Sequence, residues 1–146
     1  MNVVPTVPGE VRNRKQIPIP QAQLHLVDEH IEKMLKDNVI VKHDDPQGWN
    51  SPVMLVPKKD KTTRFVVNFA PTINTVLSQK SDPFTMTRMD ESLTSMEEGQ
   101  LYFTVADLAN GYWQVKLKEA DQVKTSFQWR ACTYKFVRVP FGYTFS

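Results

Sequence analysis

The spacing of hydrophobic positions divides the first half of the chain into an arm, a helix and a hairpin. Residues 1–20 contain four prolines, which deny a helix its amide donors and favour an extended arm. Apolar side chains recur at intervals of three and four over residues 21–37, which predicts an amphipathic helix that stops at Asn38. Two β-branched runs follow, at residues 53–56 and 64–69, and the charged stretch between them predicts a β-hairpin with a basic tip.

The second half begins with an irregular stretch and continues with a predicted short helix and several strands. Met89, Leu93 and Met96 share one helical face, and Gly99 is a residue able to end that helix. Four segments of strand length follow, separated by polar or turn residues: "LYFTVADL", "YWQVKL", "KTSFQW" and "TYKFVRV". Helices combined with mainly antiparallel strands predict an α+β fold.

The composition fits one domain of modest charge. A length of 146 residues fits one domain. With the proline-rich arm at 1–20, the predicted domain is 21–146. The net charge of +2 permits a nucleic-acid partner but is too small to hold one by charge alone. The single cysteine, Cys132, cannot form an internal disulfide, and no segment has the length and apolarity of a membrane span. These features predict an intracellular protein, cytoplasmic or nuclear.

Asp107 is the carboxylate with the clearest chemical alternatives. It follows an apolar run that predicts a buried central strand, so its carboxylate is expected to emerge where that strand ends. A carboxylate there is suited to a hard cation such as Mg²⁺, which prefers oxygen ligands. Composition alone favours the other role, in which the aspartate caps the turn "DLANG". One carboxylate by itself does not decide between these roles.

Two basic clusters are candidate contacts for phosphates. The predicted hairpin carries four cations within seven positions: Lys58, Lys59, Lys61 and Arg64. Ammonium and guanidinium groups pair well with phosphates, although the same charges also protect a sheet edge from unwanted pairing. In the arm, Arg12, Arg14 and Lys15 offer a weaker cluster that either follows a nucleic-acid backbone or is simply solvated.

Large aromatic residues offer a second way to contact nucleic acid. Trp49, Tyr112, Trp113 and Trp129 have rings that are able to stack on bases. Most large aromatic residues in a domain of this size belong to the core, and that alternative stays open for each of the four.

Six motifs, read in order, resemble a known family. They are "GWNSPVMLVPKKD", "RFVVNF", "RMDESL", "FTVADLANGYWQV", "KTSF" and "VPFG". Their order is that of reverse transcriptases of Ty3/gypsy-type LTR retrotransposons and their retroviral relatives. The resemblance covers nearly the whole chain from about Val11 onward. It implies the fingers and the first part of the palm of a right-hand polymerase.

The resemblance also implies roles for individual residues. Asp107 matches the family's first metal-binding aspartate, a ligand of Mg²⁺, and Tyr112 matches the aromatic residue beneath the sugar of the incoming nucleotide. The positions that match the nucleotide-binding residues are Lys58, Lys59, Arg64, Tyr112, Phe141 and Gly142. Cations, a metal carboxylate and a ring facing the sugar are what two-metal phosphoryl transfer requires.

The sequence departs from the family at two places. Where the family usually has Val-Asp-Tyr-Arg, this sequence has Asn68 and Ala70 in place of the aspartate and the arginine. The Tyr-x-Asp-Asp motif, which carries two of the three catalytic carboxylates, does not occur in the sequence. Asp107 alone has too little negative charge to offset two divalent ions. We therefore expect no cofactor and no DNA synthesis by this chain alone, with metal binding only if another chain completes the site.

These departures predict an association surface. In the family, the strand that ends at the position of Asp107 pairs with a second hairpin, which carries the missing aspartates. Without that second hairpin, the palm sheet is expected to have an unpaired edge, and the apolar tail "FVRVPFGYTFS" is expected to be uncovered. Such surfaces bind either a second copy or another protein. The predicted partner surface consists of Val137, Val139, Phe141, Tyr143 and Phe145. One reading is a retroelement-derived fragment retained as a protein-interaction or self-association module. The alternative is a piece of an active RNA-directed DNA polymerase that binds template-primer and nucleotide.

Overall fold

A computed structural model describes residues 10–44, 48–59, 62–76, 88–95, 99 and 101–143. The predicted helix is present as α1, Leu24–Lys36, after a short 3₁₀ turn at Gln21–Gln23. Its core-facing side chains are those of Val27, Ile31 and Met34, as the three- and four-residue spacing predicts. The predicted stop at Asn38 is confirmed: this residue has a φ of 51°, the left-handed conformation that ends many helices.

The predicted hairpin is also confirmed. Strand β1 is Ile40–Lys42, and the hairpin that follows it consists of β2, Val53–Pro57, and β3, Thr63–Val67. Strands β2 and β3 pair antiparallel from Val53 opposite Val67 to Pro57 opposite Thr63. At the tip the Lys58 amide donates to the Thr62 carbonyl at 2.8 Å. This bond fixes where the two strands turn.

The arm, where it is described, lies along the hairpin. The side chain of Gln16 both donates to the Val53 carbonyl at 2.7 Å and accepts from the Val53 amide at 2.9 Å. Asn50 donates through its side chain to the Arg14 carbonyl at 2.7 Å and accepts from the Gln128 amide at 2.9 Å. These bonds hold the arm against β2, and Asn50 links it further to Gln128.

A second sheet contains β1 together with two strands from the C-terminal half. These are β4, Phe127–Trp129, and β5, Cys132–Phe136, and the antiparallel order is β1-β5-β4. Strand β4 lies within the predicted segment "KTSFQW", and β5 overlaps the predicted segment "TYKFVRV" but begins one residue earlier, whereas β1 was not predicted. Its sequence is the short β-branched run that follows the helix stop, and β5 pairs with it from Ile40 opposite Phe136 to Lys42 opposite Tyr134.

The core lies between α1 and the two sheets, with Phe127 at its centre. The Phe127 side chain is fully buried, and its ring centroid lies 5.5–5.8 Å from those of Phe65, Tyr134 and Phe136. Such aromatic packing contributes both apolar burial and favourable ring geometry. This cluster ties the hairpin to the three-stranded sheet.

The remaining helices are short and lie among irregular segments. Helix α2 is Met89–Thr94, within the region of the predicted short helix. Helix α3 is Glu119–Gln122. None of the helices in the described ranges combines the length and the apolarity needed to cross a bilayer. Arm residues 1–9, Met96, Lys61 and Phe145 lie outside the described residues, so the predictions made for them stay predictions.

The predicted central strand before Asp107 is wrong. Residues 101–108 have no regular secondary structure, and all of them are exposed. The relative exposure reaches 82% at Leu101 and 93% at both Tyr102 and Val105. High β propensity was not sufficient, because no neighbouring described strand offers these residues hydrogen-bonding partners. We call residues 101–108 the open segment.

The predicted strand "YWQVKL" is wrong over most of its length. Gly111–Gln114 forms a 3₁₀ turn, preceded by Asn110 with a φ of 51°. The Trp113 amide donates to the Asn110 carbonyl at 2.7 Å, which closes the turn. Sheet-like pairing begins only at Lys116, which forms an isolated antiparallel bridge with Arg138. Local turn chemistry therefore overrides the alternation of apolar and polar residues.

The predicted exposure of the C-terminal apolar tail is wrong for two of its residues. Val139 and Tyr143 are buried, and Val137 and Phe141 are half-buried. Burial raises the pKa of the Tyr143 phenol, and the nearby Asp121 carboxylate adds to the rise. The most exposed of the large apolar residues that the structure describes lie in the open segment rather than in this tail.

Candidate nucleotide-binding site

One cavity brings together three of the predicted nucleotide-binding residues. It lies between α1, the β2-β3 hairpin and the turn at Gly111–Gln114, and its volume is about 280 Å³. Lys58, Arg64 and Phe141 all line it, although they are far apart in the sequence. The complete wall is formed by His30, Lys33, Met34, Lys58, Thr63, Arg64, Phe65, Asn110, Trp113 and Phe141.

The charge of this cavity is one-sided. Lys33, Lys58 and Arg64 are exposed at its wall, and no aspartate or glutamate among the described residues lines it. Within the described ranges, none of these three cations forms an ion pair with a carboxylate. Positive charges held together without a counter-charge attract anions, and phosphate oxygens suit both ammonium and guanidinium donors. The cavity is therefore chemically suited to a phosphate-bearing ligand.

The aromatic wall connects the cavity to Tyr112. The ring of Phe141 lies 5.5 Å from that of Trp113 and 5.4 Å from that of Tyr112, in an edge-on arrangement with Tyr112. Tyr112 itself is exposed and stands just outside the cavity wall. Gly142 follows with a φ of 82°, and its carbonyl accepts a bond from the Asn74 side chain at 3.1 Å. The predicted sugar-facing ring thus packs against Phe141, which lines the same cavity as the predicted phosphate-binding cations Lys58 and Arg64.

The surroundings of Asp107 do not form a magnesium site. The residue is exposed within the open segment. Over the described ranges, no group of three or more His, Cys, Asp or Glu side chains is placed to hold a metal ion. Mg²⁺ sites of this kind use one or two carboxylates together with waters and substrate phosphates. Among the described residues Asp107 supplies a single carboxylate, which is too little negative charge for the pair of ions that the resemblance implies.

Known proteins resemble the chain in sequence and in fold. The chain is 34% identical to the Retrovirus-related Pol polyprotein from transposon opus of Drosophila melanogaster, over 97% of the chain and 15% of that polyprotein. It is 30% identical to the polyprotein from transposon gypsy of the same organism, over 94% of the chain and 13% of the polyprotein. A crystal structure of a mutant prototype foamy virus protease-reverse transcriptase matches 99% of this chain with a TM-score of 0.75 and 25% identity.

The chain is a reverse-transcriptase-like region of the LTR-retroelement type. The resemblance to Ty3/gypsy-type reverse transcriptases that the six motifs indicate is confirmed, and so is the predicted α+β fold. The match covers only 19% of the foamy virus chain, so this region spans a small part of each relative. No protein-family model matches the sequence.

The remaining described cations that were predicted to contact phosphates do not line the cavity of this reverse-transcriptase-like region. Lys59 is exposed at the hairpin tip and is not part of the wall. Arg12 forms an ion pair with Glu10 at 2.6 Å, and Arg14 donates to the Pro71 carbonyl at 3.5 Å. Lys15 is exposed on the arm. The arm therefore presents less free charge to a nucleic acid than its sequence suggests.

Two of the tryptophans belong to the core. Trp49 and Trp129 are buried, and the indole nitrogen of Trp129 donates to an Asp28 carboxylate oxygen at 2.8 Å. These positions favour the core alternative over base stacking. Trp113 is half-buried and forms part of the cavity wall.

Sequence reasoning missed the contribution of α1 to the cavity. His30, Lys33 and Met34 occupy positions i, i+3 and i+4, which lie on one side of a helix. That spacing was available in the sequence, but nothing local shows that this side meets the hairpin. The contact between the His30 and Phe65 rings, 6.1 Å apart, establishes it.

Asn68 has a local structural role at the position where the family carries its aspartate. Its side-chain oxygen accepts a hydrogen bond from the Ala70 amide at 3.2 Å. An amide side chain supports such a turn as well as a carboxylate does. The substitution therefore preserves the turn after β3 while removing a negative charge.

Proposed function

We propose that this chain is a reverse-transcriptase-derived self-association module that does not synthesise DNA by itself. The open segment carries this proposal. It contains five large hydrophobic residues with high exposure: Leu101, Tyr102, Phe103, Val105 and Leu108. Large apolar side chains exposed this close together in the sequence are typical of a region that binds another polypeptide.

Pairing between two open segments would give their backbone amides hydrogen-bond acceptors and their apolar side chains new contacts. No backbone amide in residues 101–108 donates a hydrogen bond to another described residue. An antiparallel register centred on Thr104 places Asp107 opposite Leu101, so the two Asp107 carboxylates stay apart. Such pairing supplies ladder hydrogen bonds and brings apolar side chains of the two copies into cross-strand contact, which removes part of their surface from water.

Light scattering of the 146-residue chain tests this function. We expect the weight-average mass to rise from 16.9 kDa toward twice that value as the concentration increases. A mass that stays at 16.9 kDa throughout the concentration series would contradict self-association. Templated extension of a primer by the isolated chain would contradict the second half of the proposal.

A second function, nucleotide binding, is favoured by the cation-lined cavity. Lys58 and Arg64 lie on its wall, and Tyr112 stands beside it through Phe141. This arrangement supports a site in which cations hold the triphosphate and the Tyr112 ring faces the sugar. The matched foamy virus protein is a reverse transcriptase by name, which agrees with a nucleotide ligand.

A titration with a deoxynucleoside triphosphate tests the second function. We expect Lys58→Gln and Arg64→Gln each to weaken binding by about tenfold, or about 1.4 kcal/mol, because each loses a charged partner for phosphate. Lys15→Gln, at an exposed arm position, is the matched control and is expected to change binding by less than twofold. Equal losses in all three variants would indicate non-specific attraction and contradict the site.

A further inference from the structure

A second cavity lies where Asn38, the bridge between Lys116 and Arg138, and helix α3 meet. Its volume is about 830 Å³, within the range of about 300–1,000 Å³ that is usual for ligand-binding clefts. Among the described residues, it has no lining residue in common with the candidate nucleotide-binding site. It is therefore a separate place on the molecule, with room for more than a single ion.

Two cations face each other across the bridge that forms part of this cavity. Lys116 lies opposite Arg138, and hydrogen bonds of 2.9 and 3.0 Å between the residues on either side make them a non-hydrogen-bonded antiparallel pair. Side chains are closest in such a pair, and like charges placed directly opposite each other destabilise it. Lys118 adds a third cation to the same wall. The wall thus concentrates positive charge where the fold itself is destabilised by it.

The described carboxylates do not neutralise this charge. Over the described ranges, none of the three cations forms an ion pair with an aspartate or glutamate. Glu119 is the single described carboxylate on the wall, and it too is exposed and forms no ion pair with a described cation. An anion that binds between the cations offsets their mutual repulsion and gains attraction from each of them.

Arg138 is already held in position for such an anion. It is half-buried, its Nε donates to the Asn38 carbonyl at 3.3 Å, and its Nη1 donates to the Trp113 carbonyl at 3.0 Å. The guanidinium has five N–H donors, so these two bonds leave others for a ligand. Its planar fork matches the two oxygens of a carboxylate, and little side-chain entropy remains to be lost on binding.

The rest of the wall favours a peptide over a nucleic acid. None of the described lining residues is aromatic, whereas single-stranded nucleic acids are bound by stacking their bases on aromatic rings. Ala120 and Val137 instead offer aliphatic surface that is not fully buried. The Glu119 carboxylate also repels a continuous chain of phosphates more than it repels separate carboxylates. These features suit an apolar side chain with acidic residues on both sides of it.

We propose that this second cavity binds an acidic segment of another polypeptide. Carboxylates of that segment pair with Lys116, Lys118 and Arg138, and an apolar side chain between them contacts Val137. No residue of the open segment lines the cavity, so this partner is separate from the one that the open segment binds.

Fluorescence anisotropy with a labelled peptide of sequence Glu-Glu-Leu-Glu-Glu, titrated with the full chain, tests the proposal. The control peptide is Gln-Gln-Leu-Gln-Gln, which has the same length and label and no side-chain charge. We expect the acidic peptide to bind about tenfold more tightly or better, because it alone offers charged acceptors to the cations. Equal affinity for the two peptides, or no binding of the acidic one, would contradict the proposal.

Substitutions on the wall identify the residues that bind the acidic peptide. We expect Lys116→Gln and Lys118→Gln each to weaken binding about threefold, because each removes one exposed ion pair. Arg138→Gln removes the positioned fork, and we expect a loss of about tenfold. The matched control is Lys59→Gln, at an exposed cation outside the wall, with an expected change of less than about twofold. Equal losses in Lys59→Gln and Lys116→Gln would show non-specific attraction and contradict the site.

Glu119→Gln supplies a readout of the opposite sign. It removes a like charge from the wall, so we expect the acidic peptide to bind about threefold more tightly and the uncharged peptide to bind as before. A purely structural effect of the substitution does not strengthen binding. Weaker binding of the acidic peptide in this variant would contradict the placement of its carboxylates.

Competition with a short oligothymidylate separates a peptide from a nucleic acid as the ligand. We expect this single strand not to displace the labelled acidic peptide, because the described wall has no aromatic ring for base stacking. Displacement by the oligothymidylate at lower concentrations than by unlabelled acidic peptide would assign the cavity to nucleic acid and overturn the proposal.

Discussion

Replacing Phe127 by alanine is expected to lower the free energy of unfolding by about 3–5 kcal/mol, because the change leaves a cavity in the centre of the core. The Phe127 side chain has no exposed surface and contacts three other aromatic rings. Such a loss is a large part of the stability of a domain of this size. Urea unfolding followed by circular dichroism measures it.

Phe103→Ala is the matched control for this prediction. Phe103 is 63% exposed in the open segment, so we expect its truncation to change the unfolding free energy of the dilute chain by less than about 0.5 kcal/mol. Similar losses for the two variants would show that residues 101–108 are packed as tightly as the core, which would contradict the fold described above.

Replacing Val105 by aspartate is expected to weaken self-association by about 100-fold or more. In a symmetric pair the substitution occurs twice, and each copy loses the burial of a valine and places a carboxylate opposite Phe103. A 100-fold change corresponds to about 2.8 kcal/mol, within reach of two lost apolar contacts of about 1.5 kcal/mol or more each. Sedimentation equilibrium measures the dissociation constant directly.

Ile17→Asp is the control for the position of this charge. Ile17 is another exposed apolar residue, at 44%, but it lies on the arm. We expect this variant to associate like the unmodified chain. If both substitutions weaken association equally, net charge rather than the open segment controls it, and the proposed interface is wrong.

The parts of the fold that sequence predicted correctly are those in which local and tertiary signals agree. In α1 the apolar spacing matches the buried face, and Asn38 supplies a left-handed stop. In the hairpin, β-branched runs flank a polar turn, and the two strands pair with each other without needing a distant partner. The helix and the hairpin therefore follow from nearby residues.

The incorrect predictions concern segments that need a distant partner. The open segment has the composition of a central strand, but a strand exists only where a neighbour completes its hydrogen bonds. Residues of the C-terminal tail such as Val139 and Tyr143 find their cover within the chain, which sequence reasoning did not anticipate. Burial depends on tertiary packing, and a single sequence does not specify it.

The candidate site shows the same division. The resemblance suggested Lys58, Arg64 and Phe141, and the structure places all three on one wall. It did not suggest Lys33, because the position of a helix face relative to a hairpin is not encoded locally. Asp107 was identified by its motif, yet its motif did not reveal that it lies in an exposed segment.

Hydrogen exchange in residues 101–108, measured by mass spectrometry as a function of chain concentration, tests the central claim most directly. In dilute solution we expect fast exchange, because these amides make no hydrogen bonds to described residues. At concentrations where the mass has doubled, we expect exchange in this segment to slow at least tenfold while the β2-β3 hairpin is unchanged. Exchange that stays equally fast in the associated state would contradict the proposal that the open segment is the interface.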